Sequence, residues 1–393
     1  MAVLTDKQRE AGWTIVKLGE AVDKIIDHRG RTPKKLGGDW STTGHRVISA
    51  LNIKKGVIDQ NYHHLIDDEM YERWMPVKFS VGDVIVTSEA PMGEIARIRN
   101  SEEARWVAGQ RIFALKPNKN LIDSRYMYYS FLSAEVQYGL QSRSSGTTVV
   151  GIKQKELREV EIPLPPLEEQ KRIAGILGSL DDKIEANTRL IQTLSDYCVA
   201  LVDSLKLFEG SRESTLGEII SFSPKVKKPA GEEYQFIDMS SLPTMGPVPE
   251  TISSKSSWNG AKFENGDTLF ARITPCLENG KTAIAMGLGD EPACGSTEFI
   301  VMRANTPEQV ILPYGIARCD KFRQEAMSHM IGSTGRQRVK WQDLANIPVS
   351  VPSESDMQKI EKSSDIFGYF EALRKENLQL AETRDALIKR LIG

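Results

Sequence analysis

The sequence predicts an α+β fold in which two repeated α+β domains are separated by two long antiparallel coiled-coil helices. Three observations lead to this prediction. Short motifs occur twice along the chain at a nearly constant spacing, a long run of heptads follows the first copy, and a shorter run follows the second copy. A chain of 393 residues has room for two domains of ~150 residues with helices between them.

The composition excludes several classes of protein. Hydrophobic residues make up 40% and charged residues 26% of the chain, and the four cysteines include no CxxC pair, so a fibrous, disordered or disulfide-rich protein is not expected. No apolar run approaches the ~18 residues that a membrane span needs, and the first residues lack the apolar core of a signal peptide. We expect a cytoplasmic protein with no membrane partner. Because the net charge is −2, any DNA-binding surface must be a local patch.

The duplication is seen in motifs near the start, the middle and the end of each copy. Leu18-Gly19-Glu20 recurs as Leu216-Gly217-Glu218, and the pattern Phe-x-x-Gly-Asp begins at Phe79 and again at Phe263. A further set recurs with one constant spacing: Lys153, Leu157, Val160, Pro165 and Ile173 correspond to Lys340, Leu344, Ile347, Pro352 and Ile360. Each match is weak alone, but their shared order is hard to obtain by chance. We therefore expect the two copies to share one fold.

Each copy has the pattern of short strands followed by a helix. The apolar runs 84–86 and 268–271 follow Gly-Asp turns and predict strands, as do the runs 110–115 and 298–302. A single helix is predicted near 124–137 in the first copy and near 313–327 in the second. Both copies are therefore expected to be α+β domains with polar loops.

A long helix is predicted after each copy. Pro163, Pro165 and Pro166 cannot belong to a helix, so the first long helix begins after them, at 168, and reaches 207, about 60 Å at ~1.5 Å per residue. Two interleaved heptad rows on each helix are typical of a coiled-coil seam. The seam residues are Ile173, Leu177, Leu180, Ile184, Asn187, Ile191 and Leu194 in the first helix and Leu373, Asn377, Leu380 and Leu387 in the second.

The obvious partner of each seam is the other, packed antiparallel within one molecule; the alternative is association between two chains. Asn187 and Asn377 lie on the seams, where a buried asparagine can fix the register, although solvation at a frayed edge explains them equally well. The predicted boundaries are 1–166 for the first domain, 167–210 for the first helix, 211–352 for the second domain and 353–393 for the second helix.

No arrangement of residues typical of a catalytic or metal site is present in the sequence. Gly280-Lys281-Thr282 resembles the end of a phosphate-binding loop, but Pro275 stands where that loop requires glycine. The motifs HExxH, GxSxG and GxGxxG and the Asn/Asp-Pro-Pro-aromatic motif of methyltransferases do not occur. The pair Asp181-Asp182 lies on the predicted helix, where a solvated surface is the simpler explanation. We predict no catalytic residue, no metal ligand and no cofactor in this chain.

Basic and small polar residues at equivalent places in both copies are the candidates for DNA contacts. Positive charge suits phosphates, while arginine and glutamine can bind purine edges. The alternative for each cluster is a solvated loop or a plain turn. The early candidates are Arg29, Arg31, Lys34 and Lys35 in the first copy and Lys225, Lys227 and Lys228 in the second. The late candidates are Arg143, Ser145, Thr147 and Thr148 in the first copy and Arg336, Gln337 and Arg338 in the second. Two further candidates, Arg272 and Lys281, lie between the clusters of the second copy.

The segment that joins the first copy to its helix resembles a known family. Pro163-Leu164-Pro165-Pro166-Leu167-Glu168-Glu169-Gln170-Lys171-Arg172-Ile173, continuing through Leu180-Asp181-Asp182-Lys183-Ile184, resembles the central conserved region of specificity (S) subunits of Type I restriction-modification systems. Trp13, the repeated Phe-x-x-Gly-Asp and the stretch LFARITPCLENGK at 269–281 resemble that family's target-recognition domains. The resemblance covers nearly the whole chain and is weakest after Val351.

The resemblance implies a non-catalytic subunit whose two target-recognition domains bind double-stranded DNA at two half-sites separated by a gap. In this family the helices set the distance between the half-sites and bind two modification (methyltransferase) subunits, which use S-adenosylmethionine. Restriction (translocase/nuclease) subunits join the complex, and ATP and Mg²⁺ belong to the partner subunits. Two alternatives are a stand-alone DNA-modifying enzyme and a coiled-coil adaptor with no DNA role.

Overall fold

The computed structural model describes residues 3–54, 56–59, 64–211, 213–333 and 335–393, and the chain divides into two compact units. The first unit comprises Met1–Asp182 and Leu380–Gly393, and the second comprises Lys183–Gln379. Each of the two long helices therefore contributes residues to both units.

The first unit contains short strands and short helices, followed by the first long helix, α7 (Leu167–Ser204). Its helices are α1 (Asp6–Glu10), α2 (Leu18–Ala21), α3 (Asp68–Trp74), α4 (Ser124–Leu132), α5 (Ala134–Ser142) and α6 (Gln154–Arg158). Its strands are β1 (Thr14–Lys17), β2 (Val22–Asp27), β3 (His45–Ile48), β4 (Ile53–Lys54), β5 (Val57–Ile58), β6 (His64–Ile66), β7 (Val84–Thr87), β8 (Ile95–Arg97), β9 (Val107–Ala108), β10 (Ile112–Pro117) and β11 (Glu161–Leu164).

The second unit has a similar order of elements. Its strands are β12 (Ser214–Thr215), β13 (Ile220–Phe222), β14 (Tyr234–Ile237), β15 (Ser253–Lys255), β16 (Ala261–Phe263), β17 (Thr268–Ala271), β18 (Thr282–Ile284), β19 (Ala293–Gly295), β20 (Phe299–Ala304) and β21 (Pro348–Val349). Its helices are α8 (Leu216–Ile219), α9 (Ile311–Arg318), α10 (Asp320–Ser328), α11 (Trp341–Ala345) and α12 (Glu354–Lys362), followed by the second long helix, α13 (Asp365–Leu391).

Both units are built around a four-stranded antiparallel sheet with the same topology. The strand order is β2-β10-β7-β8 in the first unit and β13-β20-β17-β18 in the second. Each unit also has a smaller mixed sheet, β6-β3-β9 and β15-β14-β19-β16, which contains one parallel pair. A further antiparallel pair, β1 with β11 and β12 with β21, brings the start and the end of each copy together.

Hydrophobic cores lie on both faces of each central sheet. Along β10, Phe113 and Leu115 belong to one core, while Ile112 and Ala114 belong to the other. Successive side chains of a strand point to opposite faces, so this alternation places packed residues on each side. Strands β7 and β17 are accordingly buried at every position. The sequence shows such strands as continuous apolar runs.

The two units also share main-chain hydrogen bonds at equivalent positions. The amide of Ile152 donates to the carbonyl of Ser88 at 2.9 Å, and the amide of Val339 donates to the carbonyl of Arg272 at 3.0 Å. Both bonds join the turn that precedes α6 or α11 to the loop that follows the central strand β7 or β17. The frame that supports these loops is therefore the same in both units.

A buried aspartate in each unit pairs with a cation on the neighbouring strand. Asp83 lies 2.8 Å from the ammonium of Lys116, and Asp267 lies 2.6 Å from the guanidinium of Arg303. Burial raises the pKa of both carboxyls, while the paired cations act in the opposite direction. These aspartates belong to the repeated Phe-x-x-Gly-Asp motif, so the motif maintains the fold at this turn.

The single helices predicted near 124–137 and 313–327 are wrong, because each segment forms two helices. Helix α4 ends before Ser133, whose backbone is extended at φ −70° and ψ 149°. The hydroxyl of Ser133 accepts a hydrogen bond from the amide of Val136 and caps α5. In the second unit Cys319 has an extended backbone and separates α9 from α10.

Helix α7 supplies apolar residues to the cores of both units. Ile173 and Leu177 are buried in the first unit, and Ile191 is buried in the second. Leu194 packs against the core of the second unit, and Leu180 and Ile184, between these segments, are half-buried. The heptad stripe therefore packs onto a domain core at each of its ends.

The segment 353–393 forms two helices rather than one. Helix α12 ends at Lys362, and the hydroxyl of Ser363 donates to the carbonyl of Lys359 at 2.9 Å. Serine side chains compete with the helix backbone in this way, which favours a break at Ser363-Ser364. In α13, Leu373 packs on the core of the second unit, Leu387 packs on that of the first, and Leu380 is half-buried.

Within the second unit the two long helices are antiparallel. Asn187 of α7 is 2% exposed, and its Nδ2 donates to Oδ1 of Asn377 on α13 at 2.9 Å. Further along α7, Ser195 hydrogen-bonds to the hydroxyl of Tyr314, whose ring meets the ring of Phe370 edge-on. Residue numbers therefore rise along α7 as they fall along α13. The Nδ2 group of Asn187 also donates to Glu376 at 2.7 Å, so the buried amide binds two residues of α13.

Candidate nucleic-acid interface

In the first unit the predicted basic cluster directly follows β2. Arg29 forms an ion pair with Asp27, with Nη2 2.7 Å from Oδ2, and its guanidinium lies 4.3 Å from the centre of the Phe113 ring. Lys34 and Lys35 lie exposed on the next turn. Arg29 is therefore fixed by its partners. The ammonium of Lys35 donates to the carbonyl of Gly30 at 2.8 Å, and Lys34 lies exposed beside it.

A cavity of about 350 Å³ lies beside this cluster, and Arg31 lines it. The Nη1 group of Arg31 donates to the main-chain carbonyl of Trp74 at 2.9 Å. Aromatic rings form a large part of the wall: Trp40 stacks on His64 with 4.3 Å between ring centres, and Trp74 lies 6.2 Å from Trp40. The indole of Trp40 remains 41% exposed. The first unit thus offers an open aromatic surface next to positive charge.

Gln110 holds the basic loop against the sheet at the edge of this cavity. Its Oε1 accepts a hydrogen bond from the amide of Gly30 at 2.9 Å, and its Nε2 donates to the carbonyl of Arg31. Because both ends of the amide are engaged, Gln110 positions Arg31 rather than presenting a free group of its own.

The late polar turn of the first unit lies next to the same cavity. Ser145 and Gly151 exchange two main-chain hydrogen bonds of 2.8 and 3.0 Å, and Gly151 also bridges to Glu89. Ala90, beside Glu89, lines the cavity. Of the other predicted residues, Arg143 is half-buried at the end of α5, and Thr147 and Thr148 are exposed at the tip of the turn. The late turn is therefore linked to the loop that lines the cavity through the main chain of Gly151 and Glu89.

In the second unit Glu298 lies between two of the predicted DNA-binding arginines. Arg338 forms an ion pair with it, with Nη2 2.8 Å from Oε1, and Nε of Arg272 lies 3.9 Å from Oε2. Glu298 raises the pKa of the Arg338 guanidinium. The carboxylate offsets one positive charge and fixes the direction of Arg338.

The turn that carries the late candidates of the second unit is joined to the loop after β17. The amide of Gln337 donates to Oγ1 of Thr274 at 2.7 Å, and the amide of Thr274 donates to the carbonyl of Gln337 at 3.1 Å. Arg336, the preceding residue, is exposed. Thr334, within the same predicted cluster, lies outside the described residues.

Lysines and aromatic rings cluster near the small sheet of the second unit. The rings of Tyr234 and Trp258 have centres 5.2 Å apart. The ammonium of Lys228 lies 5.1 Å from the Tyr234 ring, and that of Lys262 lies 5.5 Å from the Trp258 ring. Aromatic rings next to cations are typical of nucleic-acid-binding surfaces.

The remaining candidates of the second unit differ in exposure. Lys225 and Lys227 are exposed on the loop before β14. The ammonium of Lys281 donates to the carbonyl of Met239 at 2.9 Å, which ties the loop after β17 to the small sheet. Lys281, a predicted DNA contact, thus also contributes to the fold.

Sequence reasoning missed the aromatic members of both surfaces. Trp40, Trp74 and Trp258 were not singled out, nor was Lys255, whose ammonium lies 3.4 Å from the centre of the Phe236 ring. The signal that was available is local: Trp40 and Trp258 each stand among glycine, serine, threonine and asparagine residues. A tryptophan in a turn-rich segment has little chance of complete burial and is a candidate for binding.

Membrane-spanning helices and metal-ligand clusters are considered for the described part of the chain. Its helices include none with the length and apolar character that a bilayer crossing requires. Its histidines, cysteines, aspartates and glutamates form no group of three that could hold a metal ion.

Known proteins resemble this chain in sequence. Residues 10–196 match the family described as Type I restriction modification DNA specificity domain. The putative type I restriction enzyme MjaX specificity subunit of Methanocaldococcus jannaschii is 23% identical, over 97% of this chain and 92% of that protein. The type I restriction enzyme EcoKI specificity subunit of Escherichia coli is also 23% identical, over 93% of this chain and 84% of that protein.

A solved structure shows the same mixed α+β fold. It is the crystal structure of the Type-I restriction-modification system S subunit from M. genitalium, which aligns with a TM-score of 0.53 at 17% identity and covers 97% of this chain and 96% of that one. Residues 10–196 therefore carry a Type I restriction modification DNA specificity domain. Over nearly its whole length the chain is similar to specificity subunits of Type I restriction enzymes, and its fold matches that of a solved S subunit.

Proposed function

We propose that this chain is the DNA-recognition subunit of a Type I restriction-modification complex and that each unit binds one half of a bipartite target. The matched DNA specificity domain and the similarity to specificity subunits support the general role. The finer assignment is supported by one observation: the two units present different side chains on an equivalent main-chain frame. Such an arrangement suits two binding sites that evolved from one ancestor to recognise different sequences.

The equivalent loops illustrate this difference. The loop after β7 carries Glu89 and Ala90 and pairs with a turn of serine, glycine and threonine. The loop after β17 carries Arg272 and Thr274 and pairs with a turn that contains Arg336. Base edges are distinguished by hydrogen-bond donors, acceptors and methyl groups, so these two surfaces should prefer different bases.

The partners follow from the same proposal. Helices α7 and α13 would bind two modification subunits, and restriction subunits would complete the complex. S-adenosylmethionine, ATP and Mg²⁺ would be used by those partners, and this chain would contribute no catalytic group. Because its substrate is double-stranded chromosomal DNA, we place the complex in the cytoplasm.

The decisive experiment maps methylated adenines in cells that carry the modification subunit with and without this chain. We expect a bipartite motif that depends on the chain. Replacing residues 20–150 by those of a relative should change one half of the motif and leave the other half unchanged. If every methylated site stays the same after the exchange, the chain acts as an adaptor without a DNA role.

A second measurement separates recognition from catalysis. The purified chain is incubated with DNA, Mg²⁺ and S-adenosylmethionine, and cleavage and methylation are followed. We expect neither product from the chain alone; methylation should appear when modification subunits are added, and cleavage only when restriction subunits and ATP are present as well. Methylation or cleavage by the chain alone would identify a stand-alone enzyme.

A further inference from the structure

The cavity of the first unit has the walls of a site for a planar apolar group. Its volume of about 350 Å³ falls within the ~300–1,000 Å³ of small-molecule sites. The indoles of Trp40 and Trp74 and the imidazole of His64 line it, together with the aliphatic side chains of Val47 and Leu51. Aromatic and aliphatic surfaces of this kind favour the faces of a flat ring system.

Among the described residues that line this cavity, the charged side chains are basic. They are Arg31 and Arg111, and no acidic residue is among the described lining. Nε of Arg111 lies 3.2 Å from Glu89, which is outside the lining, and the Arg111 side chain remains 52% exposed. A flat apolar group that enters here would therefore be accompanied by favourable positions for anions. This combination matches a nucleobase joined to its phosphates.

The backbone is strained at two residues of the lining. Ala90 has φ of 52° and Arg111 has φ of 62°, a conformation that residues other than glycine rarely adopt. Strain of this kind persists where the surrounding structure enforces it, and it clusters at ligand-binding sites. The amide of Ser88 donates to the carbonyl of Arg111 at 2.8 Å, which holds one of these positions. The cavity is thus preformed rather than a loose gap between loops.

We infer that this cavity accepts one nucleobase of the first half-site, rotated out of the DNA duplex. The inference rests on the proposed function and adds the mode of recognition. The base would lie against the indole of Trp40, and Arg31 and Arg111 would face its flanking phosphates. Stacking on an aromatic ring is available to every base, so identity would come from polar groups at the edge of the cavity, such as the hydroxyl of Ser49.

The test uses the purified full chain, without modification subunits, and duplexes that carry its mapped target. Each base of the first half-site is placed in turn opposite an abasic site, which removes the cost of breaking its pair. We expect the affinity to rise about tenfold at one position and to change little at the others, because unpairing is a main cost of base rotation. The measurement is a fluorescence anisotropy titration at fixed salt.

Two variants locate the effect in the cavity. Trp40→Ala removes the stacking surface and should abolish the gain at that position, whereas Trp40→Phe should keep most of it. Leu51→Trp fills the cavity from an exposed position and should also abolish the gain. This second variant tests the cavity independently if Trp40→Ala fails to fold. Tyr138→Ala, at an exposed tyrosine on α5, is the control and should behave like the parent chain.

The outcomes are distinguishable. Specific binding with no favoured position, or a gain that survives in both Trp40→Ala and Leu51→Trp, overturns the inference and leaves the proposed function intact. Saturation by a free deoxynucleoside monophosphate at micromolar concentration, without a favoured position, assigns the cavity to a free nucleotide instead. Absence of any sequence-specific DNA binding overturns the proposed function and this inference with it.

Discussion

Arg336 is the most exposed of the three late candidates in the second unit. The next two residues are tied to the protein, Gln337 by its main-chain amide to Thr274 and Arg338 by its ion pair with Glu298. Because the chain is fixed directly after Arg336, the side chain of Arg336 leaves a well-defined point of the surface. An arginine in this position can bind either a guanine edge or a phosphate.

Replacing Arg336 with alanine should weaken DNA binding, and the salt dependence should show which contact is lost. Loss of a base contact should cost ~1–3 kcal/mol and relax specificity at one position, whereas loss of a phosphate contact should lower the salt slope by about one. Titrations at several salt concentrations provide both numbers. Arg9→Ala, at an exposed arginine of α1, is the control. Identical curves for Arg336→Ala and the parent chain would remove this residue from the interface.

His28 carries a pH dependence that belongs to the fold. It is 6% exposed, its Nδ1 has no hydrogen-bond partner among the described residues, and the nearby Arg31 repels its protonated form. Burial, with a smaller contribution from Arg31, lowers the pKa of His28 to about 4. The unfolded chain takes up this proton near its ordinary pKa of ~6.5. Proton uptake between these values therefore favours the unfolded chain.

Stability of the first unit should fall as the pH is lowered from ~6.5 towards 4, by up to about 3 kcal/mol from this residue. Below the folded-state pKa the contribution no longer changes. Urea unfolding at several pH values measures the effect, and His28→Gln should lose less stability over the same interval. His329→Gln, at an exposed histidine, serves as the matched variant. Equal slopes for His28→Gln and the parent chain would show that His28 does not contribute.

At the scale of elements, the first long helix and two strands of each central sheet could be predicted, whereas the breaks within the other predicted helices could not. Apolar runs and heptads depend on periodicity, which the sequence displays directly. Ser133 and Cys319 end helices because their backbones become extended, and that choice depends on how α5 and α10 pack. The hydrogen-bond partners of the cations could not be predicted either, because Lys281 and Arg338 bind groups that are about 40 residues away in the chain.

Close packing of α9 on α7 depends on a glycine. A Cβ atom added at Gly315 would lie 2.9 Å from the carbonyl oxygen of Cys198 and 2.4 Å from Cγ2 of Val202. The first of these atoms belongs to the backbone of α7 and cannot turn away. At Gly368, within α13, an added Cβ would meet no atom within 4 Å. An alanine at Gly315 would therefore test the packing of two helices, whereas an alanine at Gly368 would test helix propensity alone in the same unit.

Gly315→Ala should destabilise the second unit by about 1–2 kcal/mol, because overpacking outweighs the gain in helix propensity. Gly368→Ala should stabilise the same unit by about 0.5–1 kcal/mol, since alanine is the better helix former. Chemical denaturation of both variants provides the comparison. A stabilising effect at Gly315 would mean that α7 and α9 pack less tightly than the structure shows.

At the scale of the whole molecule, the first unit is assembled from both ends of the chain. Ile388 and Ile392 of the C-terminal segment are buried in its core. Arg384 pairs with Asp181 at 2.9 Å, and Gln8 donates to the carbonyl of Ile392 at 3.4 Å. The sequence predicts the repeat and the helices, but no periodicity shows that the last residues complete the first core.

Deleting residues 380–393 should therefore destabilise the first unit, although those residues lie farthest from it in sequence. Removal of two buried isoleucines alone should cost about 3 kcal/mol or more. Limited proteolysis followed by mass spectrometry should show earlier cleavage within residues 3–182. The exposed Lys389→Ala/Arg390→Ala double variant should leave that pattern unchanged. Unaltered protection of residues 3–182 after the deletion would contradict this account.

Main-chain amides and carbonyls, such as those of Ile152 and Ser88 or of Val339 and Arg272, supply the ties that the loops of the two units have in common. Nearly every amino acid brings these same atoms, so most replacements of a loop side chain leave the ties in place. Under the proposed function, selection for a new methylation pattern and selection for a folded chain would act largely on separate atoms. A lineage under attack by foreign DNA would then revise its sequence preference one substitution at a time, with little loss of foldability.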